Sequence, residues 1–515
     1  MILKLLSACI RRRIFHTSSF TTKNASRVPL SEPIKIGVEV KNAAKNVAAN
    51  SEARITRLSN GLRVITEPAF GDFVTIGVAV ESGCRYENGF PRGTVQMVEK
   101  TAFGASKKFP SRDDIFKVLE KNGGIIDCQS TRDTFMYASS CHRKGTDSVL
   151  EILANAVLNP LLTSEEIETA KNIIYFESLD MVKRIESIET LVTDYIHQAA
   201  FQGNTIGIPK YAEVSTQSDL NKLTQKHVAS YLNGAHVPER MVVGGVGVDH
   251  DEFVSSVEKH FDWNTCSWKE TPSMIFENAP EIDKSKAQYT GGEIRKVEDL
   301  TPLTIGTPYP LLSHVSLGFE GCSYKDDDFV PFCVLQSLLG GGGAFSAGGP
   351  GKGMYARLYT DVMNRHHWLY SAIAHNHSYS DSGLFTITSS CPPENINEAL
   401  IVIADQFLRL RHGIDRQELE RAKTQLRSHL MMNLEVRPVL FENMVRQLLG
   451  HDEWKNPEEY AEKIRAVSEN DILRVSDRML STKPSLVGYG DVSRLAEYKL
   501  VDQSIAMRTV KPLFK

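Results

Sequence analysis

The 515-residue sequence predicts an α+β protein built from two copies of one unit. Three observations carry that expectation. Length and composition come first: 41% hydrophobic and 24% charged residues are an ordinary globular balance, and the chain is too long for one domain but supplies two cores of about 200 residues each. Strand-type apolar runs and capped helical segments then alternate along the whole chain. Finally, motifs recur at nearly one offset. GCRYENG at 83–89 returns as GCSYKDD at 321–327, 238 residues on; Thr163 with Glu166, then Ala170 and Lys171, returns as Asp415 with Glu418, then Ala422 and Lys423, at 252; VVGGVGV at 242–248 returns as LVGYGDV at 486–492, at 244. Each match alone is weak, but three in the same order argue for a repeated unit.

Taken in order, Ile55 to Pro68 is an apolar and polar alternation interrupted by Asn60-Gly61, a strong hairpin signal that opens a sheet. Val74 to Val80 is a second β-branched run. Ser111 with Asp114 caps a helix that stops near Gly123 and Gly124. Ile125 to Cys141 reads as strand and Asp147 to Leu158 as helix. Thr163 with Glu166 forms a capping box opening a long helix through Lys183. Two further helical stretches lead to a buried strand at Met241–Val248. From Asp262 to Glu293 the periodicity fades and Pro272, Pro280, Gly291 and Gly292 appear, the composition of a linker. The expected division is a leader at 1–31, a first domain at 50–262, a linker at 263–293 and a second domain at 294–515.

The leader stands apart. Lys4, Arg11, Arg12, Arg13, Lys23 and Arg27 precede the first acid, Glu32, in a Ser- and Thr-rich stretch. That is the composition of a mitochondrial import signal, and the matrix is the expected address. A secretory signal fits worse, because the arginines follow the short apolar stretch of MILKLLSACI. Arg13, Phe15 and Ser18 resemble a two-step processing pattern that places the mature end near Thr22. Removing the leader lowers the basic count from 59 to 53 against 63 acids, a net charge near −10. This balance favours a basic partner, and no nucleic acid is expected. No apolar run approaches the roughly 20 residues of a membrane helix. The eight cysteines (Cys9, Cys84, Cys128, Cys141, Cys266, Cys322, Cys333, Cys391) stand at least eleven residues apart, which excludes CxxC metal or redox pairs and reads as reduced, mostly buried thiols.

The most unusual stretch is GGGGAFSAGGPGKG, Gly340 to Gly353, in which eight of fourteen residues are glycine. Such a run is expected to hold neither helix nor strand. Helical pattern flanks it at Phe332–Leu339 and Met354–Val362, which places a long, soft loop inside a folded domain, where such loops are usually functional. It is not a P-loop: Ser346 stands where a glycine is required, and Gly353 follows Lys352 where Ser or Thr would bind magnesium. GxGxxG fails too, with Phe345, Ser346, Met354 and Ala356 at its third-glycine positions.

GGGGAFSAGGPGKGMYARLY closely resembles the glycine-rich loop of non-catalytic members of the pitrilysin-like (M16) metallopeptidase superfamily. The resemblance covers essentially everything after the leader. It implies two M16-type domains, each a mostly antiparallel sheet flanked by helices, facing each other across the linker. Catalytic members carry HxxEH on a first-domain helix: histidines at i and i+4 bind zinc, the Glu activates water, and a distal Glu completes the ligands. Here that stretch is Gln96, Met97, Val98, Glu99, Lys100. Gln96 is a poor ligand and Lys100 sets an ammonium where the metal belongs. Glu99 keeps the position of the base, and Glu177 lies near the distal ligand position. The second copy has Val334 and Leu338 at the matching spacing, and no HxxEH or GxSxG occurs anywhere. His366, His367, His375 and His377 form the remaining cluster, whose last pair could share one face of a strand; no cysteine or carboxylate in the immediate pattern completes a second metal site.

The sequence thus describes a peptidase scaffold without a metal site or catalytic residues, carrying a soft loop. The resemblance implies a substrate-recognition subunit, paired with an HxxEH-bearing catalytic beta subunit that holds the zinc. The substrates implied are presequence-bearing precursor proteins, held over the cavity for cleavage. The expected substrate-binding residues are Gly340, Gly341, Gly342, Gly343, Phe345, Gly348, Gly349, Gly351, Lys352, Gly353 and Met354. Phe345, the only aromatic in the loop, Lys352, its only charge, and Met354 just after it are the side chains of first interest; the glycines serve as hinges. Two rivals stand beside this: a structural core subunit of the respiratory cytochrome bc1 complex, which shares the fold, and a self-sufficient metallopeptidase, which Gln96 and Lys100 oppose. Both a soluble heterodimer and one associated with the inner-membrane bc1 complex remain open.

Overall fold

The computed structural model describes residues 53–212, 217–343 and 354–514. In the first half, β1 (Arg54–Arg57), β2 (Arg63–Glu67) and β3 (Phe73–Val80) are followed by α1 (Thr94–Thr101), α2 (Arg112–Lys121), β4 (Ile125–Ser130) and β5 (Phe135–His142). Helices α3 (Thr146–Leu158), α4 (Ser164–Met181), α5 (Ile188–Phe201), α6 (Gln217–Lys222) and α7 (Gln225–Ala235) then lead to β6 (Met241–Val246), α8 (His250–His260) and the one-turn α9 (Ser267–Glu270). In the second half come β7 (Gly292–Val297), α10 (Thr301–Thr304), β8 (Ser313–Glu320), α11 (Phe329–Leu339), β9 (Gly341–Gly343), β10 (Ser371–Ser378) and β11 (Gly383–Cys391). Helices α12 (Ile396–Arg409), α13 (Arg416–Leu434), α14 (Arg437–His451), α15 (Pro457–Ala466) and α16 (Glu469–Leu480), then β12 (Ser485–Gly490) and α17 (Tyr498–Ala506), complete it.

The two sheets have one topology. The first runs β1-β2-β6-β3-β5-β4 and the second β7-β12-β8-β11-β10-β9. In each a single parallel pair, β2 with β6 and β7 with β12, joins otherwise antiparallel neighbours. Superposing the orders leaves β1 extra at one edge of the first sheet and β9, made of glycine, extra at the opposite edge of the second. All three recurring motifs fall on equivalent elements: the turns after β3 and β8, the strands β6 and β12, and the N-caps of α4 and α13. Thr163 closes a full capping box with Glu166, and Asp415 accepts from the amides of Gln417 and Glu418.

The hairpin signalled by Asn60-Gly61 forms between β1 and β2, where Leu58 and Leu62 pair through a 2.8 Å backbone bond around a three-residue loop with Gly61 left-handed at φ 92°. Other local expectations need correction. The run 125–141 is a hairpin, folded at the 131–134 turn where the Thr131 amide donates to the Thr134 carbonyl. Three helices rather than two precede β6. The flexible-loop expectation fails at its start, because Gly341–Gly343 is a strand paired with Ser371–Ile373.

The halves cover each other. α3 and α12 pack on the sheets of their own halves, whereas α5 and α14 cross over. On α14, Phe441, Met444, Val445 and Leu448 lie at helical spacing and are buried against Ile65, Ala79, Val242 and Val246 of the first sheet. On α5, Ile188, Leu191, Val192, Tyr195, Ile196 and Ala199 bury against Leu384, Val487 and Tyr489 of the second. Each fully buried side chain of this size contributes roughly 1.5–3 kcal/mol. Close approach is built in by Gly244 on β6, whose missing Cβ would lie 2.3 Å from Val445 Cγ1.

Gly244→Ala is therefore expected to cost about 1–3 kcal/mol in urea unfolding. Because the clash is with a side chain, Val445→Ala should recover part of that loss, and strictly additive single and double variants would contradict the packing.

Candidate functional site

The α1 region is assembled from α1, α4 and the end of β4. The Lys100 ammonium lies 2.7 Å from Glu177 Oε1 and 3.9 Å from Glu99 Oε1. Glu99 Oε2 accepts from the Ser130 amide at 3.1 Å and the Ser130 hydroxyl at 2.6 Å. Gln96, one turn before Lys100, is buried and faces elsewhere, its Oε1 accepting from the Ala212 amide at 3.1 Å. Of the four residues singled out in the sequence, three meet and one is turned away. The assembly is an ion-paired carboxylate couple around an internal ammonium. Among the described residues no group of three or more His, Cys, Asp or Glu could hold a metal ion.

Of the glycine-rich stretch, Gly340 to Gly343 and Met354 are described; Phe345, Gly348, Gly349, Gly351, Lys352 and Gly353 lie outside the described residues. The first three glycines are packed, not loose. A Cβ on Gly340 would sit 2.4 Å from Ala356 Cβ, on Gly341 2.0 Å from the Ala372 carbonyl, and on Gly342 2.1 Å from the Tyr359 hydroxyl. Gly340 and Gly341 also hold φ of 57° and 101°, values that L side chains disfavour. Gly343 meets nothing within 4 Å. Met354 and Tyr355 are exposed where the described chain resumes.

Sequence patterns missed the seam between the halves. Arg85, from the first GC motif, is buried and donates to Asp133 Oδ1 at 2.8 Å and to both Asp381 oxygens at 2.9 and 2.7 Å, while the Ser380 amide donates to Asp133 Oδ2. Arg132 is ion-paired with Asp194 and donates to the carbonyls of Ile206 and Ile208. These partners are up to 296 residues apart, so no linear spacing reveals them. Beside them opens a cavity of about 790 Å³, bounded by the 131–134 turn, by β10 and by helices α13 to α15. His375 and His377 do share a face of β10, their rings stacked 5.8 Å apart, but they turn to other partners: His377 to the His197 ring at 4.8 Å, His375 to Glu189 at 3.4 Å. Burial, with His375 and Arg132 adding to it, pushes the His377 imidazole down to about 3.

A model of the family described as insulinase (peptidase family M16) matches residues 63–213, and one described as peptidase M16 inactive domain matches residues 222–426. The mitochondrial-processing peptidase subunit alpha of Caenorhabditis elegans is 60% identical over 491 residues, covering 95% of each chain. The chain belongs to the M16 peptidase family. The protein of that name from Bos taurus is 42% identical over 482 residues, covering 93% of this chain and 90% of its own. Among solved structures, a chain of complex III2 from Candida albicans with Inz-5 bound matches 88% of this chain and 99% of its own, at TM-score 0.69 and 17% identity. That likeness is one of fold. The two sheets are thus the two M16 domains, and all seven described cysteines are free, five of them buried.

Two measurements probe this arrangement. Gln96→His with Lys100→His sets two imidazoles one turn apart on α1 and frees Glu177. Metal analysis after dialysis should find about one zinc per double variant, with the position-96 side chain released from its bond to the Ala212 amide; a variant that takes up no zinc would mean that position 96 stays turned away from Glu177. The second concerns pH. Burial lowers His236 and His314 to about 4 and His377 to about 3. The unfolded chain therefore takes up protons below about pH 6.5 that the fold refuses. Stability from these groups is present above pH 6.5 and is lost as pH falls toward 4, by about 1 kcal/mol per imidazole between pH 7 and 5.5. His377→Gln should flatten urea-derived stability against pH by one such share, and an unchanged slope would contradict a neutral His377.

Proposed function

We propose that this chain acts as the non-catalytic alpha subunit of a mitochondrial processing peptidase. In this reading it recognises the presequences of imported precursors in the matrix and presents them to a zinc-bearing beta subunit, which cleaves them. The observation that carries the reading is Lys100. A cation is still held between Glu99 and Glu177, but it is an ammonium with 2.7 Å contact to a carboxylate, and it has no open coordination position for water or a scissile carbonyl. The chain would contribute binding, and the chemistry would come from its partner. Relatives named mitochondrial-processing peptidase subunit alpha, 60% and 42% identical over nearly the whole chain, support this over a structural bc1 role, since the bc1-type neighbour shares 17%.

Residues 1–31 are then the chain's own import signal, and the stretch from Gly340 to Met354 handles substrate. The packing of Gly340, Gly341 and Gly342 divides that stretch in two: an anchored strand, followed by the segment carrying Phe345 and Lys352. A clean test removes only 344–353, leaving β9 in place.

A synthetic basic presequence peptide would be incubated with the full chain, with an HxxEH-bearing partner, and with both. Cleavage is expected in the mixture alone and should fall at least tenfold without 344–353, a loss of about 1.4 kcal/mol or more in transition-state stabilisation. Cleavage by this chain alone would overturn the reading, as would no cleavage by the mixture.

A further inference from the structure

Three adjacent residues of β10 are left wanting partners. Asn376 Oδ1, His377 Nε2 and Ser378 Oγ are buried and make no hydrogen bond among the described residues. All three residues line the 790 Å³ cavity at the seam. β9 pairs with this edge of β10 over Ser371–Ile373, and Ala374 is held by the Gly340 carbonyl and the Gln336 side chain, so the strand's outer edge runs on into the cavity from His375. Buried polar atoms without partners are unfavourable and uncommon in folded proteins. The opposite wall is apolar: Leu426, Leu430 and Leu434 stand one turn apart on α13 and line the same cavity. A polar strand edge facing a leucine stripe suits an extended segment with side chains of alternating character.

A second pocket, about 360 Å³, shares Thr131, His377 and Tyr379 with the first and opens beside α5. Its rim carries Glu186 and Glu189, both exposed. Glu186 has no hydrogen bond or ion pair among the described residues. Glu189 lies 3.4 Å from His375 Nε2, a contact that holds its carboxyl below the usual range. Arg132 is ion-paired with Asp194, while Lys210, over the Tyr211 ring at 5.1 Å, keeps its charge. Against that one ammonium stand the carboxylates of Glu186 and Glu189, so the mouth carries net negative charge.

Resting on the recognition role above, we propose that the seam binds an extended basic segment of the precursor. Its apolar side chains lie against Leu426, Leu430 and Leu434, its polar groups meet Asn376, His377 and Ser378, and one arginine or lysine enters the adjoining pocket between Glu186 and Glu189. Side chains of an extended segment alternate between faces. One therefore reaches the carboxylates on the α5 side of β10 while the next faces α13. An acidic peptide is repelled by the carboxylates, and a uniformly polar one has no side chains to set against the leucines.

The test uses the full chain and two fluorescein-labelled decapeptides, one alternating arginine with leucine, the other with citrulline for every arginine. Citrulline keeps the shape and removes the charge. By fluorescence anisotropy, Glu186→Gln with Glu189→Gln should weaken the arginine peptide about tenfold, the scale of a lost charge-assisted contact, and leave the citrulline peptide unchanged. Leu430→Gln should weaken both. Equal behaviour of the two peptides toward the glutamate variant, or no change with either, overturns the proposal. Cleavage kinetics separate the two levels. A mixture with the HxxEH partner that processes presequences with the same KM before and after the glutamate substitutions removes this subsite and keeps the recognition role. A parent mixture that processes none removes the recognition role itself.

Discussion

The exchange of helices between the halves is the constraint on which the rest of the structure depends. β6 and β12 are buried along their whole length, and strands of that kind need cover on both faces. Each half supplies one cover for its own sheet, α3 or α12, and takes the other from its copy. A half in isolation would leave Ile65, Val242 and Val246, or Leu384, Val487 and Tyr489, facing water, an apolar patch of the kind that stable monomers avoid. The duplication therefore produced one cooperative unit, not two beads on a linker. The residues between the halves are held accordingly, with the Ser285 carbonyl accepting from Arg85 and the Ala287 amide donating to Asp381.

Between the halves, apolar packing gives way at the seam to polar pairing. Arg85, Asp133 and Asp381 are buried or nearly so, and such networks fix an arrangement more than they add stability. Arg446 on α14 donates to Thr134 at 2.6 Å, and Asp452 at the end of that helix pairs with Arg57 and Arg63. The same turn, 131–134, that receives Arg85 and Arg446 also walls the cavity, so its shape is set by the contacts that register the two halves.

Local patterns were readable in the sequence to the extent that the physics behind them is local. Capping at Thr163 and Asp415 needs only residues three apart, and these caps form as the spacing implies. The repeat was legible because equivalent turns, strands and caps meet equivalent demands in both copies. The glycine run misled at its start for the opposite reason. Composition reports backbone freedom, whereas Gly340, Gly341 and Gly342 are glycine because Ala356, the Ala372 carbonyl and Tyr359 leave no room for a Cβ. The Arg85 network and the pairing of β10 with α5 across the seam join residues nearly two hundred to three hundred positions apart, and only the fold brings them together.

The fate of the α1 region follows from charge. A helix pair that keeps Glu99 and Glu177 close must neutralise them, since like charges in a partly buried site repel. Lys100 does so from within the chain: its ammonium crosslinks α1 to α4, preserving the packing that a metal ion would otherwise hold. What it does not preserve is chemistry, because an ammonium neither lowers the pKa of a bound water nor polarises a carbonyl as a metal does. The geometry of the helix pair thereby persists around an ammonium. At the seam, by contrast, Arg85, Asp133 and Asp381 come from both copies, so that arrangement exists only where the two halves meet.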